Sequence, residues 1–199
     1  MIFGLLFNAM LSQFQAIGQA LFTQGLVSPQ GGNLSVKLGE RLVITHRGSA
    51  LGYIQEGDLV ETGINRNNRV TPLASTELQV HRCIYKNTPA LAVVHAHPPY
   101  AVALSFTEKE IVPADIEGRA LLSRVPILRT GAAGKAGESA DEIARLLGEH
   151  RVVLVQGHGT FAASQLLEEA YYHTVVLEQS CRLLYLLKAL QVNPGTIPV

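Results

Sequence analysis

The run Ala92-Val93-Val94-His95-Ala96-His97-Pro98 sets two histidines two residues apart at the end of a strand-forming stretch. Side chains at i and i+2 of a strand leave the same face, so both imidazoles aim at one region of space. A second apolar run, Val152-Val153-Leu154-Val155-Gln156, ends in Gly157-His158-Gly159, where glycine permits a sharp turn and a close backbone approach. Three neutral imidazoles suit zinc. Structural zinc sites are usually closed by four ligands, often thiolates, whereas three ligands and an open position form the catalytic arrangement. The chain therefore reads first as a metalloenzyme with His95, His97 and His158 as ligands. His46, His81, His150 and His173 stand singly in loops or on helical faces and read as solvated or hydrogen-bonded imidazoles.

Composition limits the partners. With 199 residues, 47% of them hydrophobic, the chain can bury one sizeable core and reads as one domain, residues 1–199. Sixteen basic and sixteen acidic residues cancel, and no lysine or arginine cluster occurs. Nucleic-acid and anionic-membrane binding lose their electrostatic footprint, which leaves small molecules as the expected partners. Cys83 and Cys181 lack the spacing of a disulfide framework and read as free buried thiols in a reducing compartment, which makes the expected location cytoplasmic. Lys37 is the first charged residue, so no basic segment begins a secretory signal. Asn8, Ser12, Gln13, Gln15 and Gln19 break the apolar start well short of a membrane span. Met10, Phe14, Ile17 and Leu21 fall at helical spacing before a Gly25 stop, so an amphipathic helix is expected. Its uncharged outer face implies burial against another subunit.

Alternating strands and helices make the chain α/β. Leu34 to Leu38 and Arg41 to Thr45 suit a hairpin across Gly39-Glu40, with a third strand at Leu59 to Glu61. Ser75 is placed to cap a helix carrying Leu78, His81, Cys83, Ile84 and Tyr85, which ends at Asn87-Thr88-Pro89. Ala92 to His95 is a buried strand, and Pro98-Pro99 can start a helix through Ser105. A flexible segment from Gly131 to Gly137 precedes a helix from Glu138 to Leu147, and Leu166 to Gln191 forms a long closing helix.

Two loops invite an anion. Gln30-Gly31-Gly32-Asn33 can present backbone N–H groups, although it also reads simply as a turn. Ser75-Thr76 opens a helix, where unpaired N–H groups and the positive end of the dipole favour phosphate or carboxylate, and where a plain cap is the simpler reading. Glu77 follows in the first turn, a position that favours acids anyway.

Gly32-Asn33-Leu34-Ser35, Ile44-Thr45 leading to Gly48, Ser75-Thr76-Glu77, His95-Ala96-His97 and Gly157-His158-Gly159 occur in the order found in the class II aldolase/adducin-head family. Through these motifs the chain, from about Phe14 to Leu190, resembles the small zinc aldolases of that family. The resemblance implies a single-domain α/β/α sandwich with a central, largely antiparallel sheet flanked by helices. It implies zinc on His95, His97 and His158, with Glu77 in the fourth position until substrate displaces it and then acting as the catalytic base. Gly32, Asn33, Gly48, Ser75 and Thr76 resemble the phosphate cradle, and Arg47 adjoins it. The implied reaction is reversible cleavage of a fuculose-1-phosphate-like ketose-1-phosphate to dihydroxyacetone phosphate and an aldehyde. The implied assembly is a homotetramer with sites between subunits.

Three departures from the family pattern bear on this reading. Arg47 stands where the resembled aldolases carry threonine, and a carboxylate clamp there would suit a zinc-dependent decarboxylase or dehydratase. The segment Ala114-Asp115-Ile116-Glu117-Gly118 lacks the tyrosine that those aldolases place there. The tail Asn193-Pro194-Gly195-Thr196-Ile197-Pro198-Val199 is short, which implies looser closure over substrate. A non-enzymatic adducin-like module is the reading from outside enzymes, and the intact histidine set argues against it.

Overall fold

The computed structural model describes residues 2–129 and 139–192. Among them, eight strands form one sheet in the order β3-β2-β1-β4-β8-β7-β6-β5. In chain order the elements are α1 (Ile2–Thr23), β1 (Asn33–Leu38), β2 (Arg41–Thr45), β3 (Leu59–Gly63), α2 (Leu78–Asn87), β4 (Ala92–Ala96) and α3 (Pro99–Leu104). They continue with β5 (Glu110–Ile111), α4 (Ile116–Leu121), β6 (Val125–Leu128), α5 (Ala140–Leu147), β7 (Val152–Val155), β8 (Gly159–Ser164) and α6 (Leu167–Ala189). All neighbouring strands are antiparallel except β6 and β7, so the α/β class and the largely antiparallel sheet agree with expectation.

Strand alternation sends side chains into two cores. Val94, Ala96, Leu154 and Ala162 join Phe14, Leu21, Ala101, Leu177 and Cys181 from α1, α3 and α6. Val93, Val153, Val155 and Phe161 join Val80, Ile84, Ile143 and Leu147 from α2 and α5. Helices therefore cover both faces, and every residue of β4 is buried. Each fully buried valine or leucine contributes about 1.5–3 kcal/mol, which fixes the register of β4 and with it the face that His95 takes.

The expected N-terminal helix is present and ends as its glycine predicts. Gly25 has φ +69°, and Leu26 N–H reaches back to the Leu21 carbonyl at 2.9 Å while Gly25 N–H reaches Phe22 at 3.0 Å, a Schellman cap. Leu26 then accepts from His97 N–H at 2.7 Å, so the end of α1 anchors the backbone at the second histidine. The hairpin at Gly39-Glu40 is also as expected, with Gly39 at φ +61°.

Several expectations need correction. Ser75 does not cap α2 directly: the helix begins at Leu78, and Ser75 to Glu77 form a turn in which Ser75 Oγ accepts from Glu77 N–H at 3.3 Å. Cys83 is only partly buried and donates to Asp141 at 2.9 Å, whereas Cys181 is buried; both are free. The stretch from Glu110 to Leu128 holds β5, α4 and β6, which the hydrophobic pattern does not announce. Asp115 caps α4 by accepting from Gly118 N–H at 2.7 Å. The glycine-rich segment Gly131 to Gly137 and the tail from Asn193 to Val199 lie outside the described residues. Among the described residues no helix is long and apolar enough to cross a membrane.

Candidate metal centre and active site

The site gathers at the ends of β4, β8 and β1, under the start of α2. His95 is the fourth residue of β4 and pairs in register with Asn33 of β1 and Phe161 of β8. Its ring stacks on Phe161 at 4.3 Å between centroids and is almost completely buried. His97 follows two residues later on the same face, as the strand period requires. His158 rides on the turn between β7 and β8, where Gly157 takes φ +69°. Ser105, at the end of α3, holds that turn twice: its hydroxyl accepts from Gly157 N–H at 3.0 Å, and its carbonyl accepts from the Gln156 amide at 3.1 Å.

Ligating atoms of His95, His97 and His158 lie within 4.8 Å of one another. Burial holds the His95 and His97 imidazoles below the ordinary histidine range, with His97 and His158 adding to it at His95 and His158 adding to it at His97, so both are neutral at neutral pH. Neutral imidazole is the form that binds a metal. His95 Nδ1–H donates to the Thr160 carbonyl at 2.9 Å, which leaves Nε2 as a free lone pair. Glu77 Oε2 lies 3.0 Å from that Nε2, and Glu77 Oε1 lies 3.3 Å from His158 Nε2. His97 Nε2 is 2.9 Å from His95 Nε2. Two neutral ring nitrogens and a carboxylate converging so closely fit a divalent cation better than they fit one another. His158 faces the carboxylate through Nε2, and its Nδ1 is buried without a hydrogen-bond partner among the described residues.

Glycines make this packing possible. A Cβ at Gly159 would stand 2.3 Å from the Ala96 carbonyl oxygen and 2.6 Å from His97 Cδ2. At Gly32, with φ +75°, it would stand 2.7 Å from the His95 carbonyl oxygen. Gly48, at φ +77°, instead faces open space.

The candidate cradle residues separate into two groups. Arg47 N–H bonds the Leu73 carbonyl at 2.9 Å and Ser75 N–H bonds Thr45 at 3.1 Å, so the loop of Arg47 and Gly48 lies beside Ser75-Thr76. Asn33 is engaged differently: its amide nitrogen donates to Glu77 Oε2 at 3.1 Å, and its oxygen faces His81 Nε2 at 2.6 Å. The Arg47 side chain is exposed and donates to the Pro72 carbonyl at 3.3 Å. His81, which by sequence reads as a solvated or hydrogen-bonded imidazole, is hydrogen-bonded through both ring nitrogens. It is fully buried beside the site, and burial lowers its pKa to about 3. The signal for its burial is its place four residues after Glu77, one turn into α2, opposite the alternating polar pair Asn33 and Ser35.

Residues 12–185 match the model of the class II aldolase and adducin N-terminal domain. The chain belongs to this family. It is 30% identical to the L-fuculose phosphate aldolase of Methanocaldococcus jannaschii, an alignment spanning 86% of this chain and 93% of that one. It is similar in structure to the L-fuculose-1-phosphate aldolase of Thermus thermophilus, with a TM-score of 0.86 at 36% identity over 95% of this chain and 97% of that one. It is also 25% identical to the 3-oxo-tetronate 4-phosphate decarboxylase of Escherichia coli K12, covering 90% of this chain and 88% of that protein.

Proposed function

We propose that this chain is a zinc-dependent lyase that reversibly cleaves a ketose-1-phosphate of the fuculose-1-phosphate type to dihydroxyacetone phosphate and an aldehyde. The observation that carries this reading is the Glu77 carboxylate bridging His95 and His158 at 3.0 and 3.3 Å, over a cluster of three imidazoles. It puts a proton-moving group beside the place where a carbonyl would be polarised. The likeness to two L-fuculose phosphate aldolases supports the substrate class.

His95, His97 and His158 would hold the metal. When bound, zinc supplies Lewis-acid stabilisation of the negative charge that develops on the substrate carbonyl oxygen. In cleavage, Glu77 takes the proton of the C4 hydroxyl, the C3–C4 bond breaks to release the aldehyde, and the electron pair remains on the dihydroxyacetone phosphate fragment as an enediolate. Glu77 returns a proton to C3 of that fragment. In the condensation direction the same carboxylate removes it. Gly32, Asn33, Gly48, Ser75 and Thr76 line the phosphate end, with backbone N–H groups as principal donors because the Asn33 NH₂ is already committed to Glu77. Asp115 is occupied as the α4 cap and accepts from Ser180 at 2.6 Å, so the segment without tyrosine offers no spare acid from that residue.

The chain acts as one domain, residues 1–199, and assembles as a homotetramer through uncharged surface that includes α1. That helix has no acidic residue in its first turn and no basic residue in its last. Light scattering at micromolar concentration should return four times the chain mass.

A second reading is a decarboxylase on the same scaffold. The observation that favours it is the likeness to the 3-oxo-tetronate 4-phosphate decarboxylase, together with an arginine at position 47.

Glu77→Gln tests the first reading. Incubated with L-fuculose 1-phosphate, the variant should form dihydroxyacetone phosphate about a hundredfold more slowly while keeping its zinc, the usual scale of an acid–base contribution. Wild-type turnover in that variant would remove Glu77 from the chemistry.

A further inference from the structure

The polar groups behind Glu77 form a single line. Tyr85 OH lies 2.6 Å from Ser35 Oγ, Ser35 Oγ lies 2.6 Å from His81 Nδ1, and His81 Nε2 lies 2.6 Å from Asn33 Oδ1. The Asn33 amide nitrogen completes it, donating to Glu77 Oε2 at 3.1 Å. Ser35 and His81 are 0% exposed, Tyr85 2% and Asn33 5%, so the protein itself has to satisfy these groups.

The chemistry of each link dictates the direction of the next. An ionised Glu77 only accepts, so the Asn33 NH₂ faces it and the Asn33 oxygen faces His81. His81 therefore donates from Nε2. A neutral imidazole protonated at Nε2 accepts at Nδ1, and the Ser35 hydroxyl is the donor placed there. With its hydrogen directed at His81, Ser35 accepts from Tyr85. Burial keeps the His81 ring neutral and so preserves the pattern.

We propose that Tyr85, Ser35 and His81 are positioning residues for the reaction: a one-way donor chain that locks the Asn33 amide with its nitrogen toward Glu77. Without the chain, His81 can take the other tautomer. Asn33 then flips to satisfy it and turns its oxygen toward the Glu77 carboxylate, acceptor against acceptor. The two strand positions follow the strand period, since Asn33 and Ser35 are two apart on β1 and share a face, while His81 and Tyr85 are four apart on α2 and share another. The kinetic consequence rests on the reading of Glu77 as the proton-moving group; the tautomer does not.

Nitrogen-15 NMR of histidine-labelled protein reads the tautomer directly in metal-free and zinc-loaded samples. The expected result is His81 protonated at Nε2 and bare at Nδ1; the opposite tautomer, or an imidazolium, overturns the proposal. Ser35→Ala and Tyr85→Phe each delete one hydroxyl outside the catalytic set. Both should lower kcat, by about tenfold for Ser35→Ala, with KM within about twofold and zinc content unchanged, the scale of one lost hydrogen bond to a committed partner. Ser35→Thr, which keeps the hydroxyl, should restore kcat. Wild-type kcat in folded Ser35→Ala and Tyr85→Phe proteins overturns the proposal, and if Ser35→Ala does not fold, Tyr85→Phe and the tautomer decide. Glu77→Gln separates the two readings: full turnover there defeats the Glu77 role whatever the tautomer, whereas the wrong tautomer defeats the chain even when Glu77→Gln is inactive.

Discussion

His95 Nδ1–H is bonded to the Thr160 carbonyl at 2.9 Å, one strand away in the sheet. That bond settles which nitrogen of His95 is free: Nε2 points into the cluster with His97, His158 and Glu77. The backbone of β8 thus sets the tautomer of a side chain on β4, a partnership that metal-binding histidines commonly show.

From this follows the metal prediction. Purified protein should carry about one zinc per chain, in the three-ligand arrangement of catalytic sites. His97→Ala should lose it, as read by elemental analysis after dialysis. Full zinc retention together with full activity in that variant would reject the three-histidine assignment.

Gly159 and Gly25 offer a paired test of close packing against backbone strain. Gly159→Ala drives a Cβ to 2.6 Å from His97 Cδ2, so zinc affinity should fall together with stability, the latter by about 1–3 kcal/mol. Gly25→Ala meets open space but keeps φ +69°, so it should cost about 1–2 kcal/mol and leave zinc binding intact. Thermal unfolding and zinc titration read the two effects separately. Equal zinc affinity in Gly159→Ala would show that the glycine is not needed beside His97.

Arg47 decides between the two enzymatic readings. Its exposed guanidinium already bonds the Pro72 carbonyl, so under the aldolase reading Arg47→Thr should cost about 1–3 kcal/mol of phosphate affinity at most and leave cleavage intact. Competition by inorganic phosphate measures the first, and dihydroxyacetone phosphate formation the second. Abolished turnover on a carboxylated substrate, with no phosphate binding at any stage, would move the assignment to the decarboxylase.

Stability of the metal-free protein should fall as the pH drops below 6.5. His81 and His173 are held neutral by burial in the folded state, with pKa values of about 3 and about 4 against 6.5 when unfolded. The unfolded chain therefore binds more protons between those limits. The stabilisation is complete above pH 6.5 and is lost as the pH falls toward the folded values, by at most about 1.4 kcal/mol per pH unit for each histidine. Urea midpoints measured from pH 7 to 4.5 should show the slope, and a flat profile to pH 5 would contradict it.

Local spacing along the chain already marks the residues that could do chemistry. His95 and His97 are legible because a strand repeats every two residues, and His158 because glycines flank it at the end of an apolar run. Gly25 and Gly39 mark their turns for the same local reason: few other residues accept a positive φ. The tertiary structure alone decided what these residues face. Pairing of Asn33 with His95, and packing of α2 across that pair, turned His81 from one of several solvated or hydrogen-bonded histidines into the buried partner of Asn33. It also moved the start of α2 past Ser75 and left Arg47 on the surface with the Pro72 carbonyl. Glycine conformations and strand periods are set by the residue and its immediate neighbours, whereas tautomers, amide orientations and charge states are set by partners dozens of residues away, and only the folded sheet brings those partners within hydrogen-bonding distance.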